Sequence, residues 1–289
     1  MVNGVKQNDM NDNLNSVLYK RKYIDRKAWL SSLSARKRNE MIFHDEWRNR
    51  HHRSGESDER SNEKYYDSIR KVRHYINDWV VNNSGNKIFL DYACGDGLFA
   101  ISAAQSGAII SIGIDISPTS IANCLLQAEQ LGISDVANFI VADCEDTGLP
   151  DESIDVVICS GMLHHLKIDL AYKELFRILK PQGKILVIEA LSYNPLIKLY
   201  RKMTPHLRTE WESKHILSLK DMYVAKKYFE LRDIRYWHLI SIFATFFRGA
   251  KYFDSLLGLA DRIDNILLKI YPFNLMAWMF SFELVKHNK

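Results

Sequence analysis

Three aspartates, Asp91, Asp115 and Asp143, each follow a short apolar run. Apolar runs of this length are typical of parallel strands buried on both faces. Gly95 and Gly97 come shortly after the first of them, where the backbone must turn sharply into a helix. A turn with little side-chain bulk lets a ligand approach the main chain, and the helix after it directs unpaired N–H groups at that ligand. The pattern predicts a cradle for a nucleotide.

Spacing narrows the kind of nucleotide. The dinucleotide fingerprint G-x-G-x-x-G would place glycines at positions 93, 95 and 98. The chain has Ala93, Gly95 and Leu98, so two of the three positions fail. Asp115 follows Gly95 by twenty residues, where an acid accepts hydrogen bonds from ribose hydroxyls. Dehydrogenases also place an acid there, so Asp115 alone does not separate the two kinds of site.

The stretch 91–97, DYACGDG, resembles the motif of class I S-adenosylmethionine-dependent methyltransferases. In that family an acid ends the first strand and alternating small residues follow it. Ala93 stands where the family usually has its first glycine, and its methyl group narrows the room for the donor's carboxypropyl tail. Further similarities are SGMLHH at 160–165 and LKPQG at 179–183. The resemblance runs from about Glu63 to the C-terminus.

This resemblance implies S-adenosyl-L-methionine as cofactor and S-adenosyl-L-homocysteine as product. It places Asp143 where the family reads the adenine amino group, for which a dehydrogenase has no equivalent need. The cofactor-binding residues implied are Asp91, Ala93, Gly95, Gly97, Asp115, Ile116, Asp143, Cys144 and Ser160. Each acid also has a structural alternative: Asp91 as a helix cap, Asp115 as a turn residue and Asp143 as a loop acid.

Two adjacent histidines, His164 and His165, lie in the loop that by resemblance faces the methyl group. An imidazole titrates near neutrality, so either one is a candidate general base if the acceptor must lose a proton. The alternative is that they shape the pocket or cap the following helix. We expect no metal, because adjacent histidines do not share a helical face as ligands one turn apart do.

Substrate recognition is expected from the N-terminal arm and from a segment after the fifth strand. The candidates are Phe43, Trp47, Tyr65, Tyr66, Tyr200, His206, Arg208 and Trp211. Arg208 is the candidate for anion binding, because a fork of donors suits a carboxylate or phosphate. The aromatic side chains suit a lipophilic acceptor such as a polyketide, quinone or prenyl compound, although core packing explains them equally well.

Apolar runs alternate with helical patterns from Lys87 onward, which predicts an α/β fold with a parallel sheet. The resemblance implies a Rossmann-like, doubly wound, mostly parallel seven-stranded sheet whose last strand is antiparallel. Residues 1–60 are expected to form a partly flexible, helical N-terminal arm. Residues 61–289 form the methyltransferase domain, with a cap or lid inserted at about 191–232. We predict strands at 234–247 and 277–285.

Charge and composition exclude several classes of protein. Of the 289 residues, 47% are apolar, which is ample for a core. Residues 86–190 carry 6 basic and 14 acidic groups, whereas the flanks 1–85 and 191–289 have net charges of +5 and +7. The acidic centre argues against nucleic acid as a partner, while the basic flanks suit an anionic substrate or peripheral contact with an acidic membrane.

The cysteines and the N-terminus indicate a cytoplasmic protein. None of the four cysteines forms a Cys-x-x-Cys pair, so we expect reduced, buried thiols. The polar N-terminus lacks the apolar region of a signal peptide. The longest apolar run, at 239–247, is far shorter than the roughly 20 residues that span a bilayer, so no transmembrane segment is predicted.

The function predicted is methyl transfer to a small, largely apolar molecule. By resemblance the chain is similar to the ubiquinone-biosynthesis and sterol-type group, which includes natural-product tailoring enzymes. One alternative is a C-methyltransferase acting on a prenyl diphosphate, favoured by the basic flanks. An alternative of another class is a non-catalytic binding or scaffold protein that keeps the fold and uses the basic amphipathic segment 196–203 on a membrane or partner.

Overall fold

A seven-stranded sheet organises the chain in the computed structural model, which describes residues 2–22, 24–54, 65 and 67–287, with side chains at 12–22, 24–46, 65 and 67–287. The strands are β1 Ile88–Tyr92, β2 Ile110–Asp115, β3 Ala137–Val141, β4 Ile154–Ser160, β5 Leu179–Ala190, β6 Phe229–Trp237 and β7 Met279–Lys286. Their order is β3-β2-β1-β4-β5-β7-β6. β1 to β5 are parallel, and β7 runs antiparallel to both β5 and β6. The predicted fold class is confirmed.

Helices cover the sheet. They are α1 Val2–Arg21, α2 Arg26–Ser32, α3 Ala35–Ser54, α4 Arg70–Ser84, α5 Leu98–Gln105, α6 Pro118–Gln130, α7 Ile168–Ile178, α8 Pro195–Met203, α9 Glu210–Lys214, α10 Leu219–Val224 and α11 Phe253–Leu267. The α6 boundary follows the predicted signal, because the Ser117 side chain accepts a hydrogen bond from the Ser120 N–H and Pro118 occupies the first turn. Local capping chemistry therefore fixes where the helix after β2 begins.

The core lies on both faces of the sheet, as a doubly wound fold requires. Every residue of β1 is buried, so its near-continuous apolar sequence has packing partners on each side. On one face, α4 packs Val72, Ile76 and Trp79 against Phe89 and its neighbours. These residues recur every three to four positions, which is the stripe of an amphipathic helix. All four cysteines are buried and free, as predicted.

The strand predicted at 234–247 is wrong for the residues after Trp237. β6 ends at Trp237, and 241–247 forms a 3-10 helix although its apolar sequence suggests a strand. His238 adopts a left-handed φ of 61°, which breaks the strand. The buried carboxylate of Asp264 in α11 then accepts hydrogen bonds from the N–H groups of Leu239, Ile240 and Ser241. A side chain distant in sequence thus replaces the strand ladder as their partner.

The N-terminal segment, whose sequence suggests a loose arm, is helical over α1 to α3. Leu14 and Leu18 of α1 are buried against the main core, and Met41 of α3 is fully buried. α3 also makes ion pairs to the loop after β3, and such contacts have no apolar period that a sequence pattern could reveal. The boundary between arm and domain near residue 60 stays a prediction. In the described part of the chain, no helix is both long and apolar enough to cross a bilayer.

Candidate active site

A cavity of about 200 Å³ lies at the carboxyl ends of β1 to β4. Several predicted residues line it, and they are Ala93, Gly95, Asp115, Ile116, Asp143, Cys144, Ser160 and His165. Helix α3 supplies a wall that the sequence did not predict, formed by Arg36, Lys37, Glu40 and His44. Ligands of open α/β sheets bind at this edge, so the cavity has the position expected of a nucleotide site.

The turn after β1 has the backbone that its glycines suggested. Gly95 and Gly97 have φ values of 55° and 74°. A Cβ at Gly97 would lie 2.9 Å from both Cys124 Sγ and a ring carbon of Phe139. Position 97 therefore excludes a side chain both because of its positive φ and because of these contacts. Ala93 also adopts a left-handed φ, of 60°, at a cost of roughly 1–2 kcal/mol to a non-glycine residue. This strain explains why glycine is usual at position 93 in the family it resembles.

Asp115 is held rigidly at the end of β2. Its Oδ2 accepts a hydrogen bond of 3.0 Å from Gly95 N–H, and its Oδ1 accepts one of 2.8 Å from Ser117 N–H. The carboxylate is only 7% exposed yet lines the cavity. A carboxylate has about four acceptor sites, so two main-chain donors leave capacity on both oxygens. Asp115 can therefore accept two further hydrogen bonds from a ligand.

Asp143 follows β3, and a cation lies against it. Its Oδ1 accepts a hydrogen bond of 2.9 Å from Glu145 N–H, and its Oδ2 forms an ion pair with Lys37 of α3. Lys37 Nζ also lies 2.9 Å from a carboxylate oxygen of Glu145, and Arg36 pairs with the other oxygen. The α3 cations thus occupy the acidic loop after β3. A ligand that uses Asp143 must compete with Lys37.

Asp91 and Gly97 lie behind the cavity wall. The Asp91 carboxylate is 2% exposed and its Oδ2 accepts a hydrogen bond of 3.1 Å from Ala100 N–H in α5. This is the helix-capping role that the sequence left as an alternative. Burial raises the pKa of Asp91 to about 7. Asp91 therefore fixes the orientation of α5 and has no direct contact with the cavity.

His165 faces the cavity, and Glu40 of α3 orients its ring. The distance from His165 Nδ1 to Glu40 Oε2 is 2.8 Å, and Glu40 Oε1 accepts a hydrogen bond of 2.5 Å from the Thr209 hydroxyl. Burial and the neighbouring His164 lower the pKa of His165, with Glu40 opposing them. The imidazole is therefore neutral at pH 7 and suited to accept a proton.

His164 belongs to a different environment. It is buried, with Nδ1 2.6 Å from Glu189 Oε2 at the end of β5, and it does not line the cavity. Glu189 also accepts hydrogen bonds from the N–H groups of Met162 and Leu163. Burial lowers the pKa of His164, but the carboxylates of Glu189 and Glu212 outweigh it and raise the pKa overall. The contact with Glu189 and the position outside the cavity therefore give His164 a structural role in the loop after β4.

Glu40 and Glu189, which hold the two histidines, are among the site residues that sequence reasoning missed. Glu189 is an acid at the carboxyl end of a predicted strand, the same signal that Asp91, Asp115 and Asp143 give, so it could have been found. Glu40 has no comparable signal. It lies 125 positions from its partner His165, in a helix whose polar sequence lacks a period.

Three side chains of types that bind metals also lie close together at the cavity. Ligand atoms of Glu40, His44 and His165 all lie within 4.8 Å of one another. The sequence prediction of no metal considered only the two adjacent histidines, and the structure adds two residues from α3. The hydrogen bond from His165 to Glu40 already accounts for the shortest of these approaches.

The predicted substrate residues do not form one cluster. Tyr65 lies edge-on to Tyr200 at 5.8 Å between ring centroids, and the Arg208 guanidinium lies 5.8 Å from the Tyr200 ring. Trp211 stacks on His215 at 3.7 Å, and its indole nitrogen is buried without a hydrogen-bond partner among the described residues.

The other substrate candidates are Phe43, His206, Trp47 and Tyr66. Phe43 lies edge-on to the cavity-lining His44, with ring centroids 5.5 Å apart. His206 is exposed to solvent. The Trp47 side chain and Tyr66 fall outside the described residues. Phe43 therefore lies beside the cavity, and so does Trp211, whose ring lies 4.8 Å from the guanidinium of the cavity-lining Arg36.

The family model for "Methyltransferase domain" matches residues 90–187. An uncharacterized protein of Haemophilus influenzae is 27% identical over 150 residues, which is 47% of this chain and 60% of that protein. The sterol 24-C-methyltransferase erg6 of Aspergillus fumigatus is 30% identical over 130 residues, which is 45% of this chain and 34% of that protein. The chain thus spans less than two thirds of either relative.

A solved structure of geranyl diphosphate methyltransferase, in complex with geranyl diphosphate and sinefungin, has a TM-score of 0.55 to this chain at 13% identity. The alignment covers 74% of this chain and 78% of that one, and at such identity it shows the fold alone. The family match lies on β1 to β5 and includes the glycine turn, Asp115 and Asp143. Residues 90–187 therefore match a methyltransferase domain, in agreement with the predicted resemblance to class I S-adenosylmethionine-dependent methyltransferases.

Proposed function

We propose that the protein transfers a methyl group from S-adenosylmethionine to a small, largely apolar molecule. One observation carries the proposal: Asp115, Asp143 and a neutral His165 converge on one cavity beside the glycine turn. The first two provide acceptors for a nucleoside, and the third provides a base. A dinucleotide enzyme has no need of an acid at the position of Asp143.

The donor fits the residues that line the cavity. Asp115 retains acceptor capacity on both carboxylate oxygens for two ribose hydroxyls. Asp143 suits the adenine amino group once Lys37 moves away from it. The cavity of about 200 Å³ is below the roughly 300–1,000 Å³ usual for small-molecule sites. Donor binding therefore requires the side chains of α3 to shift outward.

When bound, the donor supplies an electrophilic methyl group on a sulfonium. The protein's contribution is alignment, which is worth up to roughly 7–11 kcal/mol in well-oriented reactions. With Nδ1 of His165 donating to Glu40, the Nε2 lone pair is available to accept a proton from the acceptor. The contact between Glu40 and Thr209 holds this pair in place.

Binding and transfer can be tested separately with the full chain. We expect saturable binding of S-adenosylmethionine and S-adenosylhomocysteine by calorimetry. With methyl-labelled donor and an organic extract of small molecules, we expect label in an extractable product, and a large decrease in the His165→Ala variant. Failure to bind either nucleoside would refute the proposal. Binding without any labelled product would favour the scaffold alternative.

A second acceptor class, the prenyl diphosphate of the sequence-based alternative, is favoured by one observation. A groove beside the site carries arginine and lysine side chains that an uncharged acceptor would not need. Product analysis distinguishes the two classes, since methyl transfer to an alkene forms a carbon–carbon bond and leaves a carbocation that then loses a proton. A product methylated at carbon would favour this second class.

A further inference from the structure

A second cavity, of about 740 Å³, opens between α8, α9 and the turn that joins them. Five basic side chains line it, and they are Lys198, Arg201, Lys202, Arg208 and Lys214. Glu210 is the acid among the lining residues, and it pairs with Lys214 at 2.6 Å. The groove therefore has a strong excess of positive charge.

Arg201 is a partly buried cation without a paired carboxylate. Its hydrogen bond is a weak one of 3.5 Å to the Leu191 carbonyl, and no carboxylate of the described residues lies within ion-pair distance. Burial and the nearby Arg208 lower the pKa of Arg201 to about 10, with the more distant carboxylate of Glu212 opposing them. Burying a charge without a partner is costly, so such an arrangement points to a missing counter-ion.

Hydrogen bonds orient the guanidinium group of Arg208, but no carboxylate is devoted to its charge. Its side chain is 6% exposed, and one terminal nitrogen donates to the Thr204 carbonyl and hydroxyl oxygens at 3.0 Å each. Its Nε lies 3.5 Å from Glu212 Oε1, and that same oxygen lies 3.9 Å from His164 Nε2. One carboxylate is thus shared between two cations. The two guanidinium groups retain net positive charge.

The groove shares a wall with the donor cavity. Thr209 lines the groove, and its hydroxyl donates to Glu40, which lines the donor cavity and orients His165. One layer of side chains therefore separates an anion bound by the arginines from the candidate base.

We propose that Arg201 and Arg208 form a subsite for a phosphate or diphosphate ester on the methyl acceptor. The identification as an acceptor site rests on the proposed methyl transfer, whereas the anion site itself does not. Two guanidinium forks, of which that of Arg208 is held by hydrogen bonds, match the oxygens of a phosphate. The lysines at the same groove suit an anion of more than one charge better than a single carboxylate. Lys198 and Lys202 are exposed and add attraction around the two arginines.

The first experiment uses inorganic pyrophosphate as the probe and the full chain, with calorimetry as readout. We expect saturable binding that weakens at least about tenfold in Arg201→Gln and in Arg208→Gln, as loss of a charged contact predicts. Arg262→Gln is the matched control, because Arg262 is exposed on α11 and outside the groove. Equal affinity in wild type and Arg201→Gln, or no saturable binding, would overturn the proposal.

Two further measurements distinguish a misfolded variant and a failed methyltransferase proposal from a failed anion site. Thermal melting checks that each variant folds, and Arg201→Lys, which keeps the charge but loses the fork, is expected to bind pyrophosphate with intermediate affinity. S-adenosylhomocysteine binding is measured in parallel and is expected to be unchanged in Arg201→Gln. If pyrophosphate binds but the nucleoside does not, the anion site stands and the methyltransferase proposal fails.

Vesicles distinguish a free ester from a lipid headgroup. We expect phosphatidic acid vesicles to compete poorly with pyrophosphate, because Arg208 is almost fully buried. Strong competition that Arg201→Gln abolishes would assign the same phosphate chemistry to a bilayer lipid and overturn the assignment to a small-molecule ester.

Discussion

The donor half and the acceptor half of the site are built in different ways. In the donor half, Asp115 and the glycine turn are fixed by main-chain hydrogen bonds at the ends of adjacent strands. In the acceptor half, His165, Glu40 and Thr209 come from three separate segments and are joined to one another by side-chain contacts. Main-chain geometry follows from local sequence, whereas side-chain contacts between segments follow from packing. The donor half should therefore tolerate change least.

The largest effect is expected at the glycine turn. Gly97→Ala combines a left-handed φ with contacts of 2.9 Å, so we expect it to lower the free energy of unfolding by about 3 kcal/mol in urea titrations. Gly132→Ala is the control, since Gly132 also has a positive φ but no atom within 4 Å of its added Cβ. We expect about 1 kcal/mol there. Equal losses would mean that packing against Phe139 is unimportant.

Asp115→Ala tests the donor half directly. Removing two hydrogen bonds from a charged acceptor should weaken S-adenosylhomocysteine binding about a hundredfold in calorimetry. Asp135→Ala, at an exposed acid before β3, should leave affinity unchanged. Unchanged affinity in Asp115→Ala would remove the main support for the donor site, provided the variant melts cooperatively.

Lys37 lies where the two halves meet. Its ion pair with Asp143 competes with the adenine amino group, so Lys37→Ala should tighten S-adenosylhomocysteine binding about fivefold. Lys27→Ala, in the exposed part of α2, serves as the control. Weaker binding in Lys37→Ala would instead indicate that Lys37 contacts the donor.

The smallest effect concerns the titration of His165, followed by NMR. Glu40→Gln removes a charge that raises the pKa of His165, so that pKa should fall further, whereas His164→Gln should raise it. Because the folded pKa lies below the usual value of about 6.5, neutral His165 stabilises the fold above that pH. This contribution is lost as the pH falls through the folded pKa. Movement of the pKa in the opposite direction in either variant would contradict the contacts described.

Much of the fold followed from local signals. The strand-end acids, the capped start of α6 and the buried run of β1 depend on neighbours in sequence, so periodicity and capping predicted them. The strand predicted at 234–247 failed beyond Trp237 because Asp264, more than twenty residues away, accepts hydrogen bonds from the N–H groups at 239–241. Local propensity cannot include a partner that folding brings in from elsewhere.

The sequence by itself determined the parallel sheet, the glycine turn and the two strand-end acids that line the cavity, Asp115 and Asp143, since strands that end at one edge must bring their following residues together. Only the tertiary structure decided that Glu40 orients His165 and that Lys37 forms an ion pair with Asp143. It also decided that Arg201 and Arg208 line the same groove. The first two contacts span 125 and 106 residues. Polar contacts between surface segments carry no period, so they become visible only when the chain is folded.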